Sequence, residues 1–270
     1  MKIWSNTKTL DGYLPGIQLV ADKNEAEVAL VGGKAIDLNE FPRLRGIFKT
    51  GVGRDNVPEV EARRRGIHCG FPSPATAAII YEETASFACH LILRCLYVEI
   101  GDFRSWAKLD RPSLSSREVL VVGTGQIGGR VAKKMHAFAK VSTFDIATHP
   151  PTALKALVSR ADCVTLHIPL TDDTRGFFDA TKLAWLKDGA ALVNTARGAI
   201  VDEEALHREL AAGRLRAAFD VFWQEPYQGC LLGLPSEQFI VSPHVASTCR
   251  EFIAATAGDF RNFLKSLEAS

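Results

Sequence analysis

Residues Glu118–Asp145 read EVLVVGTGQIGGRVAKKMHAFAKVSTFD, and this stretch decides the fold. Four consecutive apolar residues, 119–122, predict a strand that is buried on both faces, as in a parallel sheet. Glycines follow in the pattern G-x-G-x-x-G, a helical segment begins there, and a second strand at Val141–Phe144 leads into Asp145. A strand, a glycine turn, a helix, a strand and an acid in this order predict a binding site for a dinucleotide.

Each part of this stretch has a physical role toward a dinucleotide. Gly123, Gly125 and Gly128 allow a tight turn, close approach of the backbone to a pyrophosphate, and close packing of the helix on the strand. The helix N-terminus offers N–H groups and the positive end of its dipole to the phosphates. Asp145 lies 22 residues after Gly123, where a carboxylate accepts hydrogen bonds from ribose hydroxyls and would repel a 2′-phosphate. The expected cofactor is therefore NAD.

Composition and charge exclude several classes of protein. The 270 residues include 32 basic and 31 acidic side chains, so neither nucleic acid nor a membrane surface is expected as a partner. No apolar segment is long enough to span a bilayer, and the first residues lack the core of a signal peptide. Six scattered cysteines without a C-x-x-C pair are typical of reduced thiols in a cytoplasmic protein. No His, Cys or Asp cluster has the spacing of metal ligands, so no metal is expected.

Residues 1 to about 97 read as a small α/β unit. Its candidate strands are Lys2–Trp4, Ile17–Val20, Val28–Val31 and Gly46–Phe48, and its candidate helices are Glu59–Arg65 and Ile79–Tyr97. The polar segment Gly101–Ser116 leads from this unit into the dinucleotide-binding stretch.

Beyond Asp145 helices and strands alternate, which predicts a doubly wound parallel sheet. The candidate helices are Thr152–Ser159, Thr181–Leu186 and Glu203–Ala212, and the candidate strands are Cys163–His167, Ala191–Asn194, Ala217–Val221 and Phe239–Val241. A last helix, Thr248–Leu267, either closes this sheet or packs on the first unit. Its periodicity is compatible with both.

Three polar residues follow strands in the second half of the chain: Arg197, Glu225 and His244. Ligands of open parallel sheets bind at the carboxyl ends of the strands, so these side chains are placed to converge beside a nicotinamide. Arginine can hold a carboxylate, histidine can move a proton, and glutamate can orient the histidine and favour its charged form. Taken singly, each also has an ordinary interpretation, as a surface ion-pair member, a helix stop or a loop cap. Their joint placement favours hydride chemistry at a carbonyl.

Six motifs between residues 44 and 265 carry a resemblance to a known family. They are TGVGRDNV (Thr50–Val57), VVGTGQIG (Val121–Gly128), ADCVTLHIPLTDDTRG (Ala161–Gly176), LVNTARGAIVDEEAL (Leu192–Leu206), AAFDVFWQEP (Ala217–Pro226) and VSPHVAS (Val241–Ser247). In these motifs and their order the sequence resembles the D-isomer-specific 2-hydroxyacid dehydrogenases, which include D-lactate, glycerate, glyoxylate/hydroxypyruvate and 3-phosphoglycerate dehydrogenases.

The resemblance implies a fold and a catalytic triad. Residues 99–247 would form a Rossmann domain with a doubly wound parallel sheet. Residues 1–98 and 248–270 would form a smaller, shortened flavodoxin-like α/β substrate domain, to which the last helix returns. Arg197, Glu225 and His244 would be the triad, and backbone N–H groups around Val52 and Gly53 would bind the substrate carboxylate.

The resemblance also implies the NAD contacts and an assembly. The cofactor-binding residues would be Gly123, Gly125, Gln126, Ile127, Gly128, Asp145, His167, Pro169, Thr174, Thr195, Ala196 and Asp220. Among these, Asp220 would contact the nicotinamide amide. Family members commonly form homodimers through the dinucleotide-binding domain, and the arm around Trp106 is a candidate contributor.

Several features bear on the substrate. Lys49, three residues before Val52, could pair with a substrate phosphate, although a surface lysine at a strand end is an equally good interpretation. The region before Arg45 is shorter than in most family members, and the loop Phe71–Ala78 lacks an asparagine that many of them carry. Because the chain ends soon after the last helix, no C-terminal regulatory domain is expected.

The reaction expected from these observations is NAD-dependent interconversion of a 2-oxo acid and a D-2-hydroxy acid, of the glyoxylate/hydroxypyruvate or 3-phosphoglycerate type. A non-catalytic, corepressor-like NAD(H) sensor on the same fold is the alternative. A formate dehydrogenase is disfavoured, because those enzymes pair the histidine with glutamine where this chain has Glu225.

Overall fold

The computed structural model describes residues 1–269, which form two compact units. The terminal unit comprises Met1–Ile80 together with Ser247 and the residues that follow it, and the central unit comprises Tyr81–Ala246. The change from one unit to the other at residue 80 lies inside a long helix, Pro74–Leu96. The domain limits expected from the sequence, at residues 98 and 248, stay a prediction.

The terminal unit is built on a four-stranded parallel sheet. Its strands, in spatial as well as chain order, are β1 (Ile3–Ser5), β2 (Val28–Val31), β3 (Gly46–Lys49) and β4 (His68–Gly70). Alternate residues of β2 point to opposite faces, so Val28 and Leu30 enter one apolar cluster and Ala29 and Val31 enter another.

Two helices cover the sheet of the terminal unit. Helix α1 (Glu59–Arg64) contributes the buried Ala62, and the last helix, Arg250–Glu268, contributes Phe260, whose ring centroid lies 5.2 Å from that of Phe48. The last helix therefore packs in the terminal unit, as the resemblance implied.

One strand prediction for the terminal unit was wrong, and one strand was not predicted. Ile17–Val20 does not form a strand: Leu19 makes a single bridge to Ile3 and is 60% exposed, so one residue alone reaches the sheet. Strand β4 was missed because its three residues include a polar histidine and a glycine, which leave no apolar run to recognise.

The central unit begins with the long helix and a short hairpin. Helix α2 (Pro74–Leu96) buries Ala88, Leu91 and Ile92. The hairpin of β5 (Gly101–Asp102) and β6 (Ala107–Lys108) lies in the segment predicted as a polar connection.

A six-stranded parallel sheet forms the core of the central unit. Its strands are β7 (Glu118–Val122), β8 (Lys140–Phe144), β9 (Cys163–Leu166), β10 (Ala191–Asn194), β11 (Arg216–Phe219) and β12 (Phe239–Val241). Their spatial order is β12-β11-β10-β9-β7-β8, with every neighbouring pair parallel. The chain order reverses between β7 and β9, and ligands of such sheets bind at the carboxyl ends beside this reversal.

Both faces of the six-stranded sheet are covered, which confirms the doubly wound fold. Leu120 and Val122 of β7 enter one apolar cluster and Val119 and Val121 enter the other, and all four are at most 1% exposed. The covering helices are α2, α3 (Gly128–Met135), α4 (Ala153–Arg160), α5 (Ala180–Trp185) and α6 (Glu203–Ala211). Within residues 1–269, none of the helices has the length and apolar character of a membrane span.

Candidate active site

The glycine turn between β7 and α3 has the shape that a dinucleotide requires. A Cβ at Gly128 would collide with the carbonyl oxygen of Gly123, so this close contact between helix and turn admits glycine alone. A Cβ at Gly125 would meet no atom within 4 Å, which leaves open space where a pyrophosphate would lie. Gln126 and Ile127 complete the turn, and the exposed Gln126 side chain accepts a hydrogen bond from Arg130 over 2.9 Å.

Asp145 lies directly after β8, beside this turn. Its Oδ2 accepts hydrogen bonds from the amide and the hydroxyl of Thr124, both over 2.8 Å, and its Oδ1 accepts one from the amide of Ala147 over 3.0 Å. The Thr124 amide, followed by the Ala147 amide and the Thr124 hydroxyl, lowers the pKa of Asp145. The group is therefore an ionised carboxylate in the neutral pH range, held in the place predicted to contact a ribose.

The loop after β9 contains three further residues from the predicted NAD contacts. The ring Nε2 of His167 lies 2.9 Å from the hydroxyl of Thr165, and burial lowers the pKa of His167 to about 3, so the ring is neutral. Thr174 donates a hydrogen bond to the carbonyl oxygen of Pro169 over 2.6 Å, and its hydroxyl accepts one from the amide of Thr171 over 2.7 Å. The structure thus brings Pro169 and Thr174 together in one closed loop.

Thr195 carries an unusual buried hydroxyl directly after β10. It is 7% exposed, and its Oγ1 has no hydrogen-bond partner among residues 1–269. Buried polar atoms without a partner are rare and unfavourable, so this hydroxyl suits a ligand that can bond it. The open space at Gly125, the ionised Asp145 and this hydroxyl together fit NAD.

Arg197 is positioned by the side chain of Asn194. The Asn194 amide group donates to the carbonyl oxygen of Arg197 over 2.8 Å and accepts from the Ala196 amide over 3.0 Å, which closes the turn after β10. A Cβ at the next residue, Gly198, would collide with the backbone of Phe222. This close approach brings the loop of Arg197 against the loop that carries Glu225.

His244 and Glu225 form a direct pair although they lie on different loops. The ring Nδ1 of His244 lies 2.8 Å from Oε2 of Glu225, and Oε1 of Glu225 accepts a hydrogen bond from the Phe222 amide over 3.1 Å. Burial alone would raise the pKa of Glu225. The hydrogen bond and charge of His244, with smaller effects of the Phe222 amide and the Arg197 charge, outweigh burial and lower it. All three predicted catalytic side chains therefore belong to one electrostatic cluster.

Asp220 lies directly after β11 and is fully buried. Its Oδ1 accepts hydrogen bonds from the Ser242 hydroxyl over 2.6 Å and the Val245 amide over 2.9 Å, and its Oδ2 accepts one from the Ala246 amide over 2.8 Å. Burial raises the pKa of Asp220, and these three hydrogen bonds offset part of that effect. The structure therefore places the carboxylate inside the loop that carries His244.

The three substrate contacts predicted in the terminal unit have different surroundings. Lys49 is 5% exposed, and its ammonium donates a hydrogen bond to the carbonyl oxygen of Gly32, which also accepts from the side chain of Asn56. Among residues 1–269, the amides of Val52 and Gly53 donate to no backbone carbonyl, which suits the predicted binding of a carboxylate.

Sequence reasoning missed Thr124 and Ser242. Each donates a side-chain hydrogen bond to an aspartate that follows a strand. The signal was present for Thr124, which is the variable residue of G-x-G, at the same sheet edge as Asp145. Ser242 gave a weaker signal, as a hydroxyl directly after β12 and two residues before His244.

The sequence matches one protein family and several characterised relatives. Residues 97–246 match the family described as D-isomer specific 2-hydroxyacid dehydrogenase, NAD binding domain. A hydroxypyruvate reductase of Thermotoga maritima is 32% identical over 229 residues, which cover 77% of this chain and 72% of that protein. A glyoxylate reductase of Korarchaeum cryptofilum is 30% identical over 257 residues, covering 87% of this chain and 74% of the relative.

The fold is shared with a solved structure. The D-lactate dehydrogenase of Aquifex aeolicus, complexed with NAD and lactic acid, superposes with a TM-score of 0.79 at 22% identity. The superposition covers 100% of this chain and 96% of that one.

Proposed function

Because the chain belongs to the D-isomer specific 2-hydroxyacid dehydrogenase family and binds NAD, we propose that it interconverts a 2-oxo acid and a D-2-hydroxy acid. The observation that carries this proposal is the 2.8 Å contact between His244 and Glu225, with the charge of Arg197 acting on the same carboxylate. These groups follow strands at the edge of the sheet that also presents the glycine turn.

Each side chain of the triad has a task in the proposed reduction. NADH, when bound, supplies the hydride that adds to the carbonyl carbon. Because Nδ1 of His244 faces Glu225, Nε2 is the nitrogen that gives a proton to the carbonyl oxygen. Glu225 stabilises the imidazolium before the transfer, and the Arg197 guanidinium binds the substrate carboxylate by charge-assisted hydrogen bonds. In the oxidative direction the neutral imidazole takes the hydroxyl proton back.

We propose a small 2-oxo acid such as glyoxylate or hydroxypyruvate as the substrate, in line with the two relatives. A 3-phosphoglycerate-type substrate needs a cation for its phosphate, and Lys49 was the candidate. Its ammonium is directed to the Gly32 carbonyl and buried, so a phosphate contact would require the side chain to leave this position. The Val52 and Gly53 amides remain the proposed site of the substrate carboxylate.

A substrate panel tests the proposed function. NADH oxidation is followed with glyoxylate, hydroxypyruvate, pyruvate and phosphohydroxypyruvate, and the stereochemistry of each product is determined. We expect turnover with glyoxylate or hydroxypyruvate and a D product wherever the product is chiral. Tight NADH binding without turnover on any acid would instead favour the non-catalytic sensor, against which the intact pairing of His244 and Glu225 argues.

We also propose a cytoplasmic homodimer. The hairpin β5–β6 exposes large apolar side chains, with Phe103 at 83% and Trp106 at 74% exposure, which is unfavourable for a surface that contacts only water. All six cysteines are free thiols, as expected in a reducing compartment. Sedimentation analysis should give a dimer for the unmodified chain and a monomer for Phe103→Asp/Trp106→Asp. A monomeric unmodified chain would contradict the assembly.

A further inference from the structure

The loop that carries His244 has a strained backbone. His244 adopts a φ of +54°, in the left-handed region that non-glycine residues enter at a cost of about 1–2 kcal/mol. Such a conformation persists only where surrounding contacts determine it. Here the amide of His244 itself donates to the carbonyl oxygen of Ser242 over 3.0 Å, which tightens the turn between β12 and the ring.

Three further hydrogen bonds of this turn go to Asp220, while the Ser242 amide donates to the carbonyl oxygen of Phe219 over 3.0 Å. The donors are the hydroxyl of Ser242 on one side of His244 and the amides of Val245 and Ala246 on the other. Because a carboxyl group has two oxygens that accept hydrogen bonds, it can bind three converging donors, whereas an amide at this place would turn its NH2 group toward one of them. Asp220 is fully buried, so water does not weaken these three contacts.

Two carboxylates therefore act on one histidine. Glu225 contacts the ring at Nδ1, and Asp220 contacts the Ser242 hydroxyl before the residue and the Val245 and Ala246 amides after it. The two acids lie on one short segment, residues 220–225. Between them, the amide of Phe222 donates to Glu225. A shift of the turn would move the ring away from Glu225 and from the place of the reacting carbonyl.

We propose that Asp220 is a positioning residue, whose carboxylate holds the Ser242–Ala246 turn so that the His244 ring meets Glu225. The consequence for catalysis rests on the proposed function, and the consequence for the turn does not. The nicotinamide contact implied by the family resemblance stays a prediction beside this role. Three hydrogen bonds to protein donors leave about one of the roughly four acceptor positions of the carboxylate for a ligand.

The test uses the full-length chain with two variants and a control. Asp220→Asn keeps the shape of the side chain but presents donors to donors, and Ser242→Ala removes one of the three hydrogen bonds. Ser236→Ala, an exposed serine shortly before β12, is the matched control. Three quantities are measured: kcat with the best 2-oxo acid, the Kd of NADH by fluorescence titration, and amide hydrogen exchange of the peptide covering residues 242–247.

In Asp220→Asn, kcat should fall about 100-fold, as expected for a misplaced catalytic group. The Kd of NADH should change by a much smaller factor than kcat, and the peptide should exchange faster. Ser242→Ala should show the same changes with a loss of roughly tenfold or less in kcat, the weight of one charge-assisted hydrogen bond. Ser236→Ala should match the unmodified chain.

Several outcomes would overturn the positioning role. Unchanged exchange in both variants would mean that the carboxylate does not hold the turn. Weaker NADH binding in proportion to kcat, with unchanged exchange, would assign Asp220 to the nicotinamide instead. If the unmodified chain reduces no 2-oxo acid, the proposed function fails, while the exchange measurement still decides the role of Asp220. If Asp220→Asn does not fold, Ser242→Ala carries the same test.

Discussion

Asp145 and Asp220 occupy equivalent places in the same sheet but have different surroundings. Each follows its strand directly, β8 for Asp145 and β11 for Asp220, and each accepts three hydrogen bonds from the protein. Asp145 is partly exposed and its pKa is lowered by its donors, whereas Asp220 is fully buried and burial raises its pKa.

The difference between the two aspartates shows what decides the role of an acid at a strand end. An exposed carboxylate keeps its charge at little cost and still offers acceptor positions to a ligand. A buried carboxylate is stable only because protein donors surround it, so its contacts define the shape of the loop that supplies them. Residue type and strand position are the same, and solvent exposure is the property that distinguishes the two acids.

The largest effect is expected at the residue that the buried aspartate supports. His244→Asn removes the proton donor but keeps a side chain that tolerates a positive φ, so the turn held by Asp220 should persist. We expect kcat to fall roughly 1,000-fold with an unchanged Kd for NADH, as is typical for loss of a general acid. Parallel kinetics and fluorescence titration measure both quantities. A loss below tenfold would contradict the proton-donor role.

The exposed aspartate should give the opposite pattern. Asp145→Ala removes the carboxylate proposed to bind the ribose hydroxyls, so the Kd of NADH should rise about 100-fold, the weight of two charge-assisted hydrogen bonds at the lower end of their range. At saturating NADH, kcat should stay within about twofold. The preference for NADH over NADPH should also weaken, because the repulsion of a 2′-phosphate is lost. Unchanged NADH affinity would remove Asp145 from the cofactor site.

Glu225 should make the turnover of the enzyme depend on pH, because it contacts the ring of His244. Its lowered pKa means that it is ionised through the neutral range, where it stabilises the protonated ring of His244. Glu225→Gln removes this charge, so the ring should lose its proton at lower pH and the alkaline limb of kcat for reduction should move to lower pH. At neutral pH the loss should be roughly tenfold. An unmoved alkaline limb, measured on both enzymes in the same buffers, would exclude this role.

Thr124 tests how far Asp145 depends on its own donors. Thr124→Val removes the hydroxyl that bonds Oδ2 but retains the amide, so one of three hydrogen bonds to the carboxylate is lost. The Kd of NADH should rise several-fold, well below the effect of Asp145→Ala. A rise as large as that of Asp145→Ala would mean that Thr124 itself contacts the cofactor.

The smallest effect is expected on stability, at a buried hydroxyl that lacks hydrogen-bond partners in the described part of the chain, in contrast to the carboxyl group of Asp220. Thr256 in the last helix is 0% exposed, and within residues 1–269 its hydroxyl has no hydrogen-bond partner. Thr256→Val should raise the free energy of unfolding by about 1 kcal/mol, because it removes an unsatisfied group at constant shape. Thr165→Val is the control and should destabilise, since that buried hydroxyl bonds His167. Denaturant titration compares the two, and a destabilised Thr256→Val would contradict the assignment.

The order of elements in the central unit could be predicted from the sequence, because apolar runs, glycines and an acid recur at fixed spacing. The same logic predicted that Glu225 and His244 would meet, since residues after neighbouring parallel strands share one sheet edge. Their catalytic task stays a prediction. The family resemblance assigned Asp145 and Asp220 to the cofactor, and both contacts stay predictions. The sequence did not show which of the two carboxylates a loop encloses.

Burial was the property that the sequence did not reveal. The turn that encloses Asp220 begins 22 residues later in the chain, and no local pattern connects the two. Lys49 likewise is the last residue of the apolar strand β3 and looked like a surface or cleft lysine, yet its ammonium donates to the carbonyl oxygen of Gly32, directly after β2. Both depend on contacts distant in sequence, which periodicity does not record.

The left-handed backbone at position 244 limits redesign of the protein. Glycine, asparagine, aspartate and histidine enter that region most readily, whereas β-branched and bulky residues do so only with strain. Of this short set, only histidine loses its proton near neutral pH in an ordinary environment. An engineer who wanted a different acid at this place would have to rebuild the whole turn rather than exchange one side chain.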